Sequence, residues 1–265
     1  MTGIGASGGP AAVSQEPGEA GIRGAHVAIA PRMVTAVTPA KATLRALLSQ
    51  HATRLGLTAS AIDTIVARSQ ITHWRAGQQI FAADDADDLV NFLVSGAVKV
   101  LCQGRRGVPV LVQIARPGQF FGLASLFDRP GRRQFSAVAH APAVVAMMSQ
   151  EVMNGVVAGL PAGRALQLMA YSWRALSRLL YEKCLLLTMP LRDRLVHELE
   201  VLAHDFGQSD PEGLVIDLPL TQADLAELVV GSRAKVSRCV ADLRRAGKLK
   251  VSGRRVILTR RFVRH

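Results

Sequence analysis

An α+β fold is predicted, with short strands in the first half, one long helix near the middle and a basic helical module at the end. Three observations predict it. Short apolar runs broken by glycine fill residues 71–148, and an unbroken helical period runs from Ala162 to Leu187. Leu220 to Leu243 then reads as two short helices joined by a tight turn.

Residues 1–40 are rich in Gly, Ala, Pro and Ser and show no sustained period. Such a segment buries too little apolar surface to offset its ordering entropy, so a disordered tail is expected. Thr43 to Arg68 reads as two short helices, with Leu44, Leu47, Leu48, Leu55, Ile62 and Ile65 facing a core. The strand candidates are Ile80-Phe81, Leu89 to Val94, Val98 to Cys102, Val108 to Ile114 and Ala143 to Met147. Gly77, Gly96, Gly107, Gly118, Gly122 and Gly131 recur between them as turn residues, and this spacing suggests a small sandwich or barrel.

Pro161 introduces the long helix. Leu166, Met169, Trp173, Leu176, Leu180, Cys184 and Leu187 form a heptad-like seam on it. A second stripe (Leu168, Ser172, Ala175, Leu179, Leu186) covers another face. One stripe can pack on the helix's own β domain and the other on a second copy of the helix. Thr188-Met189-Pro190 breaks the helix as a hinge, and Leu191 to Phe206 forms another amphipathic helix with Leu195, Leu199 and Leu202 inward. Gly207 to Gly213 reads as an acidic, polar linker to a short strand, Leu214 to Leu218.

In the module that follows, Thr221 stands where an N-cap belongs and Gly231 supplies the break. Ser232 caps a second helix whose Val236, Cys239, Val240 and Leu243 fall on one side and Arg233, Lys235 and Arg238 on the other. Lys248 to Val251 and Val256 to Leu258 flank Ser252-Gly253-Arg254-Arg255 as a two-stranded wing with a basic tip. A helix anchored by one face and offering donors from the other is built for a DNA major groove. Arg233, Lys235 and Arg238 are the candidates for that groove, while Thr221, Gln222, Ser232, Arg254 and Arg255 are the candidates for backbone contact.

Charge agrees. The formal net charge is +12, and from Leu220 onward 12 Lys and Arg stand against 3 Asp and Glu. A basic module on a nearly balanced body implies a polyanion partner for that module. The competing class is a ligand-sensing or protein-interaction module whose helix-turn-helix does not read DNA. An enzyme is not expected, because no Ser/His/Asp order with a nucleophile elbow, no HExxH and no GxxxxGK[ST] loop is found. Cys102, Cys184 and Cys239 are scattered without CxxC spacing and are expected to be buried free thiols. No charged and apolar leader opens the chain, and no apolar run approaches the roughly 20 residues of a membrane span. A cytoplasmic protein without membrane contact is therefore expected.

A strand-rich domain, a long helix and a winged helix-turn-helix, in that order, resemble the Crp-Fnr family of bacterial transcription regulators from about Leu44 to the end. The stretches that carry the resemblance are Pro117-Gly118-Gln119-Phe120-Phe121-Gly122 and Leu220 to Val240. In the family's Ser-Arg-Glu-Thr-Val-x-Arg pattern, Ser232, Arg233, Val236 and Arg238 match, whereas Ala234 and Lys235 depart. The resemblance implies a cyclic-nucleotide-binding-like β-roll or jelly-roll effector domain over 41–160 and a dimerisation helix over 161–188. It implies a winged helix-turn-helix over 189–265, and a homodimer formed through residues 163–187. It further implies a palindromic double-stranded DNA operator and RNA polymerase as partner.

The implied effector site comprises Gly122, Leu123, Arg132, Arg133 and Gln134. Leu123 stands where cyclic-AMP-binding members carry a glutamate for the ribose hydroxyl, and Gln134 replaces the serine after the phosphate-binding arginine. Ordinary cyclic AMP recognition is expected to be lost. The Arg132-Arg133 pair could attract another phosphate ligand, such as a cyclic nucleotide of a different kind or a cyclic dinucleotide, or could be a solvated charged loop. No cysteine precedes Cys102, so the iron–sulfur cluster of oxygen-sensing members is not expected. His73 and His140 are the histidines to consider for haem, which is not expected either.

Overall fold

The computed structural model describes residues 37–85, 88–104, 109–122, 133–253 and 255–262. The chain opens with helices α1 (Val37–Gln50), α2 (Ala52–Leu55) and α3 (Ala59–Arg68). Helix begins six residues before Thr43, and a short third helix separates the two that were expected. Thr58 caps α3 by accepting from Ala61 N.

Eight antiparallel strands follow: β1 (Gln70–Trp74), β2 (Gln79–Phe81), β3 (Leu89–Ser95), β4 (Val98–Gln103), β5 (Pro109–Ala115), β6 (Phe120–Phe121), β7 (Phe135–Ala139) and β8 (Ala143–Ser149). They form two four-stranded sheets, β1-β8-β3-β6 and β2-β7-β4-β5. Between them lie Trp74, Phe81, Leu93, Val98, Phe121 and Val145. The outer face of the first sheet packs on the N-terminal helices, where Leu44, Leu48, Leu55, Ile65, Phe92 and Met148 close a second core.

Helix α4 (Gln150–Ala158), capped by Ser149, leads to α5 (Ala162–Thr188). On α5, Leu168 is buried against the second core with Tyr171 partly buried beside it. Leu166, Met169, Trp173, Leu176, Leu180 and Leu187 on the seam are exposed. After the Pro190 break come α6 (Leu191–Phe206) and a hairpin of β9 (Gly207–Asp210) and β10 (Gly213–Ile216). The expected linker Gly207–Gly213 is thus largely a strand, held by backbone pairing of Gly207 to Ile216 and Asp210 to Gly213.

Helices α7 (Gln222–Leu228) and α8 (Arg233–Arg245) follow, and then β11 (Leu249–Ser252) and β12 (Arg255–Thr259). The four late strands make one antiparallel sheet, β11-β12-β10-β9. Leu195, Leu199, Ile216, Leu225, Val236, Leu243, Leu249 and Leu258 form the third core. No helix among the described residues is long and apolar enough to cross a membrane. The three cysteines are free, but Cys184 is exposed and Cys102 and Cys239 are half-buried, so the expected burial fails. Cys184 lies on the unpartnered side of α5, where helical spacing alone marks a side chain as apolar-facing without saying what covers it.

Candidate nucleic-acid interface and effector pocket

Helix α7 is set by a reciprocal cap. Thr221 accepts from Asp224 N at 3.1 Å, and the Asp224 carboxylate accepts from Thr221 N at 2.8 Å and Thr221 Oγ1 at 2.7 Å. Burial opposes ionisation of Asp224, yet hydrogen bonds from Lys99 and Thr221 outweigh it and hold the carboxyl below its ordinary range. At the other end of α7, Arg194 Nη1 of α6 donates to Val229 O at 2.8 Å and satisfies a terminal carbonyl.

Gly231 stands at the break between α7 and α8, as expected. Gly231 does not carry the left-handed backbone; Val230 does, with φ of 49°. A β-branched residue in that region is strained. Gly231 serves space instead, since a Cβ there would sit 2.7 Å from Leu191 Cδ1. Ser232 caps α8 by accepting from Lys235 N at 3.4 Å.

Val236, Val240 and Leu243 are buried, and Arg233, Lys235 and Arg238 are exposed in the first two turns of α8. Thr221 and Gln222 are exposed beside them, as is Arg255 at the wing, while Arg254 lies outside the described residues. Gly253, with φ of 59°, turns the wing. Lys250 is committed to Glu212 at 2.7 Å and Arg245 is ion-paired with Asp242, so neither is a fully available cation. Arg260 and Arg261, just after β12, are exposed cations that the helix-turn-helix pattern did not single out.

In the β-roll, Gly122 follows β6 with φ of 71° and Arg133 precedes β7, while Leu123 and Arg132 lie outside the described residues. Arg133 is 6 % exposed, which rules out a solvated position for it. Its guanidinium lies 3.9 Å from the Phe81 ring centroid and donates from Nη2 to Leu89 O at 2.8 Å. Nη1 lies 2.8 Å from where a Cβ on Gly122 would sit, so a side chain there would have to displace the guanidinium. Asn91 is fully buried on the same wall, and Gln134 is exposed at the entrance to β7. His73 lies within β1 and His140 in the turn after β7.

Residues 71–159 match the cyclic nucleotide-binding domain model and residues 193–262 match the Crp-like helix-turn-helix domain model. A global nitrogen regulator of Synechococcus elongatus is 31 % identical over 191 residues, covering 71 % of this chain and 84 % of that protein. The chain belongs to the Crp-Fnr family. A second Crp-Fnr relative, a CRP-like cAMP-activated global transcriptional regulator of Mycobacterium tuberculosis, is 28 % identical over 204 residues, covering 77 % of this chain and 90 % of that one. The fold is that of the c-di-GMP responsive global regulator CLP of Xanthomonas campestris, with a TM-score of 0.63 and 22 % identity over 76 % of this chain and 99 % of that chain. These Crp-Fnr proteins are transcription regulators, and the β-roll, long helix and winged helix-turn-helix of this chain are their common architecture.

Proposed function

We propose that this Crp-Fnr chain is a homodimeric transcription regulator that reads a palindromic DNA operator through α8. The observation that carries this reading is α8 itself: three exposed cations in its first two turns, with Val236, Val240 and Leu243 locking the helix into a core. Arg233, Lys235 and Arg238 enter the major groove, and Thr221, Gln222, Ser232, Arg254 and Arg255 hold the backbone. Ala234 replaces a carboxylate able to accept from cytosine N4 with a methyl suited to thymine, so the operator differs from the family's common half-site. Residues 41–160 act as the sensor domain, 161–188 as the dimerisation helix and 189–265 as the DNA-binding domain, with RNA polymerase as the further partner.

The dimer reading rests on α5. Leu166, Met169, Trp173, Leu176, Leu180, Tyr181 and Leu187 are all exposed, and Trp173 is 67 % so. A continuous apolar seam of this length calls for cover, and a second copy of α5 supplies it. Two recognition helices related by a two-fold then read half-sites about 34–36 Å apart.

The effector pocket is altered. The buried Arg133 guanidinium is committed to Phe81 and Leu89, so a cyclic phosphate gains it only by displacing those contacts. Cyclic AMP is not bound in the usual way, and a cyclic dinucleotide is the phosphate ligand to set against it. Replacing Arg233 and Arg238 with alanine tests the central reading: DNA affinity should fall by about 30-fold or more for each, since each removes two bidentate contacts per dimer at about 1–3 kcal/mol apiece. Unchanged affinity in both variants would overturn it.

A further inference from the structure

The winged module does not close its core alone. Ala97, Leu111 and Ile114, from the β4–β5 region, are buried in the same core as Leu225, Leu228 and Val236. Beside that contact Lys99 of β4 is ion-paired with Asp224 of α7, with side chains only 17 % and 7 % exposed. A second pair crosses nearby: Arg116, between β5 and β6, lies 2.9 Å from Asp205 near the end of α6. The strand side of this seam therefore contributes cations and the helical side carboxylates.

Asp224 is the hub. It lies one turn into α7 from Thr221 and Gln222, the residues assigned to backbone phosphates, and an uncompensated carboxylate there would repel DNA. Lys99 compensates it, while Asp224 keeps its hydrogen bonds to Thr221. In this docked arrangement Thr221, Gln222, Arg233, Lys235 and Arg238 are all exposed. Docking and access to DNA are thus compatible.

We propose that Lys99 is a positioning residue for DNA binding: acting through Asp224, it fixes α7 and α8 against the β4–β5 hairpin in the arrangement that presents the recognition helix. This inference rests on the DNA-binding reading above. It adds a role for the sensor domain's own surface, independent of any effector.

The test compares full-length wild type, Lys99→Met and Lys99→Arg. Methionine keeps the apolar stem and removes the charge, and arginine restores it. Affinity is measured over a salt series on a duplex selected by the wild type, and amide hydrogen exchange is followed without DNA. Lys99→Met should weaken binding about 10-fold with the salt slope unchanged, and should speed exchange in α7 and β5 but not in β1, β8 or β12. Lys99→Arg should stay within about threefold of wild type on both readouts. Three results would overturn the proposal: wild-type or tighter binding by Lys99→Met, unchanged exchange in α7 and β5, or a salt slope reduced by about 1.8 for the dimer, about 0.9 for each protomer's lost phosphate contact. If the wild type selects no duplex, the DNA reading fails by itself, and the exchange comparison still decides whether Lys99 holds the module.

Discussion

Val230 carries the clearest local strain in the DNA-binding module, because it is a β-branched residue at φ of 49° and 59 % exposed. Nothing buried compensates it at its own side chain. Val230→Gly should therefore raise stability by about 1 kcal/mol, the left-handed penalty less glycine's extra entropy, and lift the melting temperature by about 2–4 °C. Gly231→Ala should do the opposite, since its Cβ would meet Leu191 and Val236. These two neighbours show what a sequence reading misses. The sequence marks Gly231 as the break between the helices, and only the structure shows that it is needed for close approach to α6 while its neighbour carries the positive φ. The Lys99–Asp224 pair was invisible for another reason: its members lie 125 positions apart, and nothing local marks either as paired.

At the scale of elements, what was legible depended on whether one face met solvent. The 3.6-residue period of Leu191–Phe206 and of Ala162–Thr188 gave both helices nearly to the residue, because each has a distinct apolar stripe. Strands β1, β6 and β7 escaped. Gln70–Trp74 and Phe135–Ala139 mix polar and apolar positions without clean alternation, and Phe120–Phe121 is two residues long. Gly207–Asp210 is polar throughout and becomes a strand only because β10 pairs with it.

The α5–α6 junction also holds a titration. Burial and the Glu182 carboxylate push Glu198 up to about 7, against the opposing pull of Arg178. A carboxyl raised in the folded state favours its protonated form there. Its contribution is therefore fully present below the unfolded value near 4.5 and is lost as pH rises to about 7. Glu198→Gln should flatten the stability profile between pH 4.5 and 7 and stabilise the protein at pH 8, as read by urea denaturation at each pH. An unchanged profile would show that Glu198 stays charged throughout. On the same scale, Trp173→Glu should convert the proposed dimer to monomer in sedimentation equilibrium while leaving the β-roll folded.

Over the whole molecule, the sequence-level reading of order and class survives in full: β-roll, long helix, winged helix-turn-helix. What it lacked was the way the parts are joined, through the shared core of β4–β5 with α7 and the ion pairs beside it. A dimer neutralising about six phosphates should lose affinity with a log–log salt slope of roughly −5 or steeper, and Arg254 and Arg255 replaced together should make that slope shallower for every sequence. The most direct measurement is selection from a randomised duplex library by the purified full-length protein, with and without added cyclic AMP and a cyclic dinucleotide. A two-fold symmetric sequence should be enriched, cyclic AMP should leave the selection unchanged, and the enrichment should vanish in the Arg233→Ala, Arg238→Ala double variant. Failure to enrich any sequence under all three conditions, or equal enrichment by the double variant, would contradict a regulator that reads DNA through α8.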